Sequence, residues 1–269
     1  MAPVPILLGV FCLFRSSLVP VGVLLLSLAA LLNFGITFRP RQWVTRGLFD
    51  MHMSNYYRAC ELRGQLSSMG SERTLYCFHP HGILAAGFVI NGCWSSHFHE
   101  LVDERTGHST VFLIAANLRE WGILFKVLCD LSGRLDSAVK PRITRYMQEG
   151  RSLAIIPGGF EDATIFHEGK DRTFMKNRKG FVKYALQYGY KLQPVYTFGE
   201  TDTYTTFTGF LGLRLWLNTL SIPAVLFWGL SWLPLFPRCS AELYSYVGEP
   251  LELPAISEPD AAQVDLWHG

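Results

Sequence analysis

Four short apolar runs, separated by segments long enough for helices, constrain the fold of this chain more than any other feature. Each run is bounded by polar or turn residues, as is typical of buried strands. The runs are TLYCF (74–78), STVFLIAA (109–116), SLAIIP (152–157) and KLQPVYTF (191–198). The intervening helical patterns stop at Gly133, Gly150 and Gly189, and glycine commonly follows the last residue of a helix. This alternation predicts an α/β fold with a mostly parallel sheet flanked by helices.

Two of the predicted strands lead into turns with catalytic residue types. The strand 74–78 is followed by HPHG (79–82), and the strand 152–157 leads into PGGFED (157–162). In parallel sheets, active sites collect in the loops beyond the carboxyl ends of the strands. If the two strands are neighbours, the two turns face each other across one edge of the sheet.

The HPHG turn presents two candidate general bases, His79 and His81. A neutral imidazole is well suited to take a proton from an alcohol near pH 7. Pro80 has a fixed φ, and Gly82 allows a tight turn or close contact with a substrate. We therefore expect the two imidazoles to be held rather than mobile.

The PGGFED turn can support such a base. Glu161 or Asp162 can orient an imidazole and stabilise its charged form. Gly158 and Gly159, with Gly82 of the other turn, allow backbone N–H groups to approach a developing oxyanion. The HPH sequence alone is a weak signal, and a purely structural role for either histidine is the main alternative.

A metal site is a second alternative for the histidines. It would combine His79 and His81 with His97 and His99 of the HFH sequence. Zinc sites need further well-placed ligands, and SSHFHE has the composition of a solvated loop. We therefore expect no metal.

The amino-terminal region carries a long uncharged tract at 18–38, about the length that crosses a hydrocarbon core. A shorter apolar segment at 3–14 precedes it, and three arginines between 39 and 46 follow it. The excess of positive charge predicts that the downstream domain faces the cytosol. We expect a membrane anchor of one or two spans in 1–45 and a catalytic domain in 46–269. A secretory signal peptide is disfavoured because the first residues lack a basic region.

A second apolar tract, at 219–237, is interrupted by prolines and a glycine, so a straight spanning helix is not expected. Its aromatic residues Phe227, Trp228 and Trp232 suit the headgroup level of a bilayer. It is predicted to be an interfacial or re-entrant element, with an ordinary core segment and proline-rich loop as the alternative.

Composition agrees with membrane contact. Hydrophobic residues make up 49% of the 269 residues and charged residues only 17%. The net charge of +2 is too small to indicate a nucleic-acid partner, which requires a concentrated basic face.

Several motifs occur in a fixed order along the chain. They are FHPHGIL (78–84), IIPGGFEDAT (155–164), FMKNRKGFVKYALQYGYKLQPVYTFGE (174–200) and VGEPLELP (247–254). Together they resemble the type 2 diacylglycerol acyltransferase family, which includes monoacylglycerol and wax-alcohol acyltransferases. The resemblance implies transfer of a fatty acyl group from acyl-CoA to a neutral-lipid hydroxyl, without metal or organic cofactor. It also implies a place at the endoplasmic reticulum membrane or on lipid droplets.

The resemblance implies residue roles that stay partly open. Either His79 or His81 is the base. The family usually has glutamate where this chain has Asp162, and Glu161 lies one residue earlier, so either acid can be the orienting one.

Basic residues at a predicted helix start, Arg178 and Lys179 with Arg172, are expected to bind the CoA phosphates, mainly on the strength of the resemblance. A solvated basic face is the alternative. Glu200 also ends a predicted strand at this edge, and its role is open.

The most specific expectation is acylation of diacylglycerol to triacylglycerol. Monoacylglycerol or wax-alcohol acylation, and a lipid-binding protein without activity, are the alternatives. A phospholipid-type HxxxxD enzyme is disfavoured, because Leu84 and Ala86 stand five residues after the two histidines. In the family, a segment like VDLWHG leads into a further helix, so the chain is expected to be truncated.

Overall fold

The computed structural model describes residues 10–11, 18–31, 36–121, 123–220, 222 and 224–269. Its main feature is a seven-stranded sheet with the order β1-β9-β6-β2-β5-β3-β4, and β7 pairs with β8 separately. The strands are β1 Ala59–Gly64, β2 Thr74–His79, β3 Val111–Ile114, β4 Leu135–Ser137, β5 Leu153–Ile155, β6 Lys191–Phe198, β7 Thr205–Thr206, β8 Phe227–Trp228 and β9 Glu242–Val247.

Helices cover the sheet. Within the described residues, the α-helices of six or more residues are α1 Val19–Ala30, α2 Gln42–Asp50, α3 Ala116–Trp121, α4 Ile123–Ser132, α5 Lys140–Gln148, α6 Gly159–Ile165, α7 Gly180–Tyr188, α8 Leu211–Thr219 and α9 Ala261–His268. A π-helix spans Gly87–Cys93, short α and π segments follow one another from Ser96 to Thr106, and 3-10 turns occupy Met53–Tyr56, Leu66–Ser68 and Glu200–Asp202.

The sheet is mostly parallel. The strands β2, β3, β4, β5 and β6 run in one direction. The strand β9 is antiparallel to β6 and parallel to β1, so this pair runs in the other direction. The predicted α/β fold with a mostly parallel sheet flanked by helices is therefore confirmed, with a reversed pair at one edge that the sequence pattern did not indicate.

Three glycines end helices as predicted. Gly133 follows α4, Gly150 lies two residues after α5, and Gly189 follows α7. Their φ angles of +65°, +72° and +64° lie in the left-handed region, which glycine adopts without a steric penalty.

The core has two layers because successive residues of a strand point to opposite faces. On β2, Tyr76 and Phe78 pack on one face with Phe112 of β3. Leu75 and Cys77 pack on the other face, against residues of α5 and α7. The sheet is thus buried on both sides, as parallel sheets usually are.

The segment before α2 is fastened to α4. The Phe38 backbone N–H donates to the Asp130 carboxylate (3.2 Å), and the Lys126 ammonium group donates to the Ile36 carbonyl (2.6 Å). The Arg41 N–H donates to the carbonyl of Leu131, also in α4 (2.7 Å). Residues 36–41 are therefore part of the globular domain.

The structure describes the two predicted membrane elements to different extents. Among the described residues, no helix has both the length and the apolar character needed to cross a bilayer. The predicted span 18–38 contains α1, but residues 32–35 lie outside the described part, as does most of 3–14. The amino-terminal anchor and the domain boundary at 45 stay predictions. The described residues of the tract 219–237 form the end of α8, the strand β8 and turns, and its interfacial or re-entrant position stays a prediction.

Replacing Phe112 tests the aromatic layer. Its ring is fully buried and lies 5.1 Å from that of Phe88 and 5.4 Å from that of Phe98, between centroids. We expect Phe112→Ala to lower the free energy of unfolding by about 3–5 kcal/mol, because it leaves a cavity among these rings. Chemical denaturation followed by circular dichroism measures the loss. The exposed Leu266→Ala is the control, with an expected change within about 0.5 kcal/mol, and an equal effect of both substitutions would contradict the prediction.

Candidate active site

The two predicted turns meet at one edge of the sheet. The strand β2 pairs with β5 in parallel, with Cys77 opposite Ile155. Their carboxyl ends therefore lie side by side, and HPHG and PGGFED continue from them. The expectation that these strands are neighbours is confirmed.

The imidazoles of His79 and His81 are both half-buried at this edge. The Nδ1 atom of His79 is buried and has no hydrogen-bond partner among the described residues. The Nδ1 atom of His81 lies 3.1 Å from the carbonyl oxygen of Gly82. Burial lowers the pKa of His79 to about 4 and also lowers that of His81. Both rings are therefore neutral near pH 7, which is the form that accepts a proton.

The Asp162 carboxylate lies between the two turns and is only 2% exposed. It accepts a hydrogen bond from the backbone N–H of Phe174. Burial raises its pKa, while the Phe174 N–H, the backbone N–H of His81 and the Thr173 hydroxyl oppose the rise. Asp162 thus faces the backbone of the HPHG turn, and in the described part of the chain no carboxylate bonds to either imidazole.

The neighbouring acid, Glu161, points elsewhere. Its carboxylate forms an ion pair with the Arg178 guanidinium, which also lies 5.8 Å from the centre of the Phe174 ring. Of the two predicted orienting acids, the structure therefore brings only Asp162 close to a histidine, and the orienting role itself stays a prediction.

The glycines of the two turns have different environments. A side chain at Gly158 would overlap the Asp162 carboxylate, so any larger residue there would displace that carboxylate. The Gly159 N–H donates to the Ile156 carbonyl (3.2 Å). The carboxyl groups of Glu200 and Asp162 fill the space beside the α-carbons of Gly82 and Gly158, and stabilisation of an oxyanion by the amides of these turns stays a prediction.

Glu200 is the residue at this edge whose role the sequence left open. It is 1% exposed, and its two carboxylate oxygens accept from the backbone N–H groups of Ala86 (2.8 Å) and Gly87 (3.0 Å). Its side chain also occupies the space where Gly82 would carry a Cβ. Glu200 therefore fixes the chain that follows the HPHG turn. The FGE sequence at the end of β6 was the signal, but its contact partners lie 113 and 114 residues away.

The predicted CoA-binding residues do not form one cluster of unpaired cations. Arg178 is paired with Glu161, and the Lys179 ammonium donates to Asp265 at 2.5 Å. Arg172 is exposed and has no ion pair among the described residues. A bound anion would have to compete with two carboxylates for Arg178 and Lys179, and CoA binding by these residues stays a prediction.

A metal site would need several donor side chains together. In the described residues, no three histidine, cysteine, aspartate or glutamate side chains come close enough to hold a metal ion. His99 instead lies 2.8 Å from the Asp103 carboxylate, which also pairs with the buried Arg134.

Comparison with known proteins decides the family. The sequence profile described as diacylglycerol acyltransferase matches residues 15–269. The chain belongs to the diacylglycerol acyltransferase family. The resemblance of its motifs to this family is confirmed, and the chain is a member of a family of acyltransferases.

Three relatives show the range of this acyltransferase family. Diacylglycerol O-acyltransferase 2-like protein 6 of Homo sapiens is 29% identical, over 98% of this chain and 82% of that protein. Acyl-CoA wax alcohol acyltransferase 1 of Homo sapiens is 28% identical, over 86% and 72%. Diacylglycerol O-acyltransferase 2 of Danio rerio is 27% identical, over 86% of this chain and 66% of that enzyme, just under two thirds of its length. No solved structure matches the chain.

Glu200→Gln tests the buried carboxylate through pH. Burial raises the pKa of Glu200 from its ordinary value of 4.5 to about 7, against the two N–H groups that lower it. The unfolded chain loses this proton first, so this group makes the folded state less stable as pH rises from about 4.5 to about 7. The slope is at most about 1.4 kcal/mol per pH unit.

We expect this decline in the free energy of unfolding to be missing from Glu200→Gln, measured by denaturation at several pH values. The exposed Glu258→Gln is the matched control and keeps the decline. Identical pH dependence in all three proteins would rule out the raised pKa.

Proposed function

We propose that this chain is an acyl-CoA-dependent O-acyltransferase that acylates the free hydroxyl of diacylglycerol to give triacylglycerol. The observation that carries the proposal is the pair of imidazoles kept neutral by burial, His79 and His81, at the edge where β2 and β5 end. Membership of the family supports the acyl donor and a neutral-lipid acceptor.

The proposed reaction uses one of these imidazoles as general base. The ring takes the proton of the acceptor hydroxyl while the oxygen attacks the thioester carbon, and the carbonyl oxygen becomes negative. The N–H groups of Gly82 and Gly158 stabilise that oxygen. The C–S bond then breaks, and the imidazolium returns its proton to the departing CoA thiolate. No metal or organic cofactor enters these steps.

Burial of the site supports transfer over hydrolysis. A water-poor edge keeps competing water away from the thioester and strengthens the hydrogen bonds to the oxyanion. In this proposal, Asp162 holds the backbone of the HPHG turn and Glu200 holds the residues after it, so the base is positioned before the substrates bind.

The acceptor is the least constrained part of the proposal. A wax-alcohol acyltransferase and a diacylglycerol acyltransferase are almost equally similar to this chain, at 28% and 27% identity. A monoacylglycerol or a long-chain alcohol is therefore the second candidate acceptor. We further propose an endoplasmic reticulum membrane location with the domain facing the cytosol, and lipid droplets as a second site, because the acceptors dissolve in these phases.

Microsomes from cells that lack neutral-lipid synthesis test the reaction. With labelled oleoyl-CoA and a panel of acceptors, the full chain should form labelled triacylglycerol. Of His79→Ala and His81→Ala, the variant that removes the base should lower the rate by about 10²–10⁴-fold. The exposed His108→Ala is the control with unchanged rate.

The outcomes separate the alternatives. Product from a wax alcohol but not from diacylglycerol would change the proposed acceptor and leave the proposed acyl-transfer reaction unchanged. No labelled neutral lipid from any acceptor, with the protein present in the membrane, would support a lipid-binding protein without activity. Full activity of both histidine variants would refute the base.

The two neighbouring acids should respond unequally to loss of charge. Asp162→Asn disturbs a buried carboxyl that accepts from the Phe174 N–H, whereas Glu161→Gln removes a partly exposed ion pair with Arg178. Because one residue holds the turn and the other lies beside it, we expect a much larger fall in kcat for Asp162→Asn. Steady-state assays over a range of oleoyl-CoA concentrations separate kcat from KM. Equal and mild effects would show that neither acid supports the histidines.

A further inference from the structure

The helix α8 has the reverse of the polarity expected for a helix at a protein surface in water. Its two buried side chains, Arg214 and Asn218, are both polar. Leu213 and Trp216 are exposed. A helix that packs on a core in water buries its apolar face and exposes its charges. The arrangement of α8 instead suits a helix whose outer side meets an apolar phase.

The two buried polar side chains of α8 form hydrogen bonds inside the protein. The Arg214 guanidinium is 6% exposed and donates to the carbonyls of Ala224 and Thr164 (both 2.8 Å). The Asn218 amide lies 2.6 Å from the Thr164 hydroxyl. A charged group can leave water only when its donors are satisfied in this way. Arg214 therefore presents no charge to the surroundings of α8.

The apolar surface extends well beyond α8. From Phe207 to Pro237, Arg214 is the only charged residue. We call the exposed side chains of this stretch the apolar face. Those of Phe210 and Trp232 are 76% and 77% exposed. Other members are Phe207, Leu211, Leu213, Trp216, Leu220, Ile222, Leu226, Trp228, Leu235 and Phe236.

The inner side of this stretch packs next to the proposed active site. Val225 and Phe227 contact a small core formed by Ile83, Phe166 and Tyr204. Ile83 directly follows the HPHG turn. Thr164, which bonds to Arg214, lies on α6, the helix that carries Asp162. The apolar face is thus anchored to both turns of the site.

We propose that the apolar face docks onto a lipid bilayer, with α8 lying in the plane of the interface. The lack of charge supports a bilayer as the partner. The apolar face presents neither a cation nor an anion, and charged groups are unfavourable at the boundary of the hydrocarbon. Its exposed tryptophans suit the headgroup level, where tryptophan is enriched. The exposed polar residues of the stretch, Thr208, Thr219 and Ser231, are uncharged. Docking does not depend on acyl transfer and stands apart from the proposed function.

A fluorescent probe at single positions tests the docking. An environment-sensitive amino acid is introduced by stop-codon suppression at Leu213, at Trp232 or at Leu251 of the full chain. All three side chains are exposed, so the fold is retained. Leu251 is the control, because it pairs with Leu192 at the start of β6, on the opposite edge of the sheet. The proteins are reconstituted in phosphatidylcholine vesicles with and without bromine on the acyl chains.

The expected result is blue-shifted emission at 213 and 232, with loss of most of the fluorescence in brominated vesicles, and neither effect at 251. Emission at 213 and 232 that stays water-like in vesicle-bound protein would overturn the proposal. A blue shift that brominated lipid does not quench, and that grows with the ratio of protein to lipid, would assign the face to a second copy of the chain instead. No readout involves acyl transfer, so an inactive but docked protein is distinguishable from an active but undocked one.

Discussion

Hydrogen bonds from backbone N–H groups to two buried carboxylates hold the loops at the carboxyl edge of the sheet. Glu200 accepts from Ala86 and Gly87, and Asp162 accepts from Phe174 while facing the backbone of His81. Each acid replaces water as the partner of a loop backbone, and an unsatisfied buried N–H costs about 1–3 kcal/mol. The position of the HPHG turn and of the residues after it therefore depends on Asp162, which follows β5, and on Glu200, which follows β6.

The same burial sets the protonation states at this edge. It raises the pKa of Asp162 and Glu200 and lowers the pKa of both imidazoles, so each of these four groups shifts toward its neutral form. For a histidine this means a free base near pH 7. The same burial disfavours the imidazolium, so in the proposed reaction the proton passes on to the departing thiolate.

The parts of the fold that the sequence predicted are those with continuous apolar runs. The runs that form β2, β3 and β5 are almost entirely buried, and the longer run of β6 has a buried apolar centre although Lys191, Gln193 and Thr197 interrupt it. The strands β1 and β9 were missed because ACELRG and ELYSYV mix polar and apolar residues, as expected of strands that are only partly buried, and the edge strand β4 has only three residues.

The active-site edge was predictable from strand adjacency, whereas the partners of its acids were not. Adjacent residues on a helix point about 100° apart. That rotation sends Glu161 to Arg178 and Asp162 to the HPHG backbone, and no periodicity in the sequence distinguishes the two. The tract 219–237 was recognised as apolar, but hydropathy could not indicate that Arg214, just before it, turns inward.

The bonds between residues 36–41 and α4 have a mechanical consequence. Because Ile36, Phe38 and Arg41 are each hydrogen-bonded to that helix, the chain enters the domain at a fixed point. A load on the chain at Ile36 would therefore be carried by α4 as well as by residues 36–41.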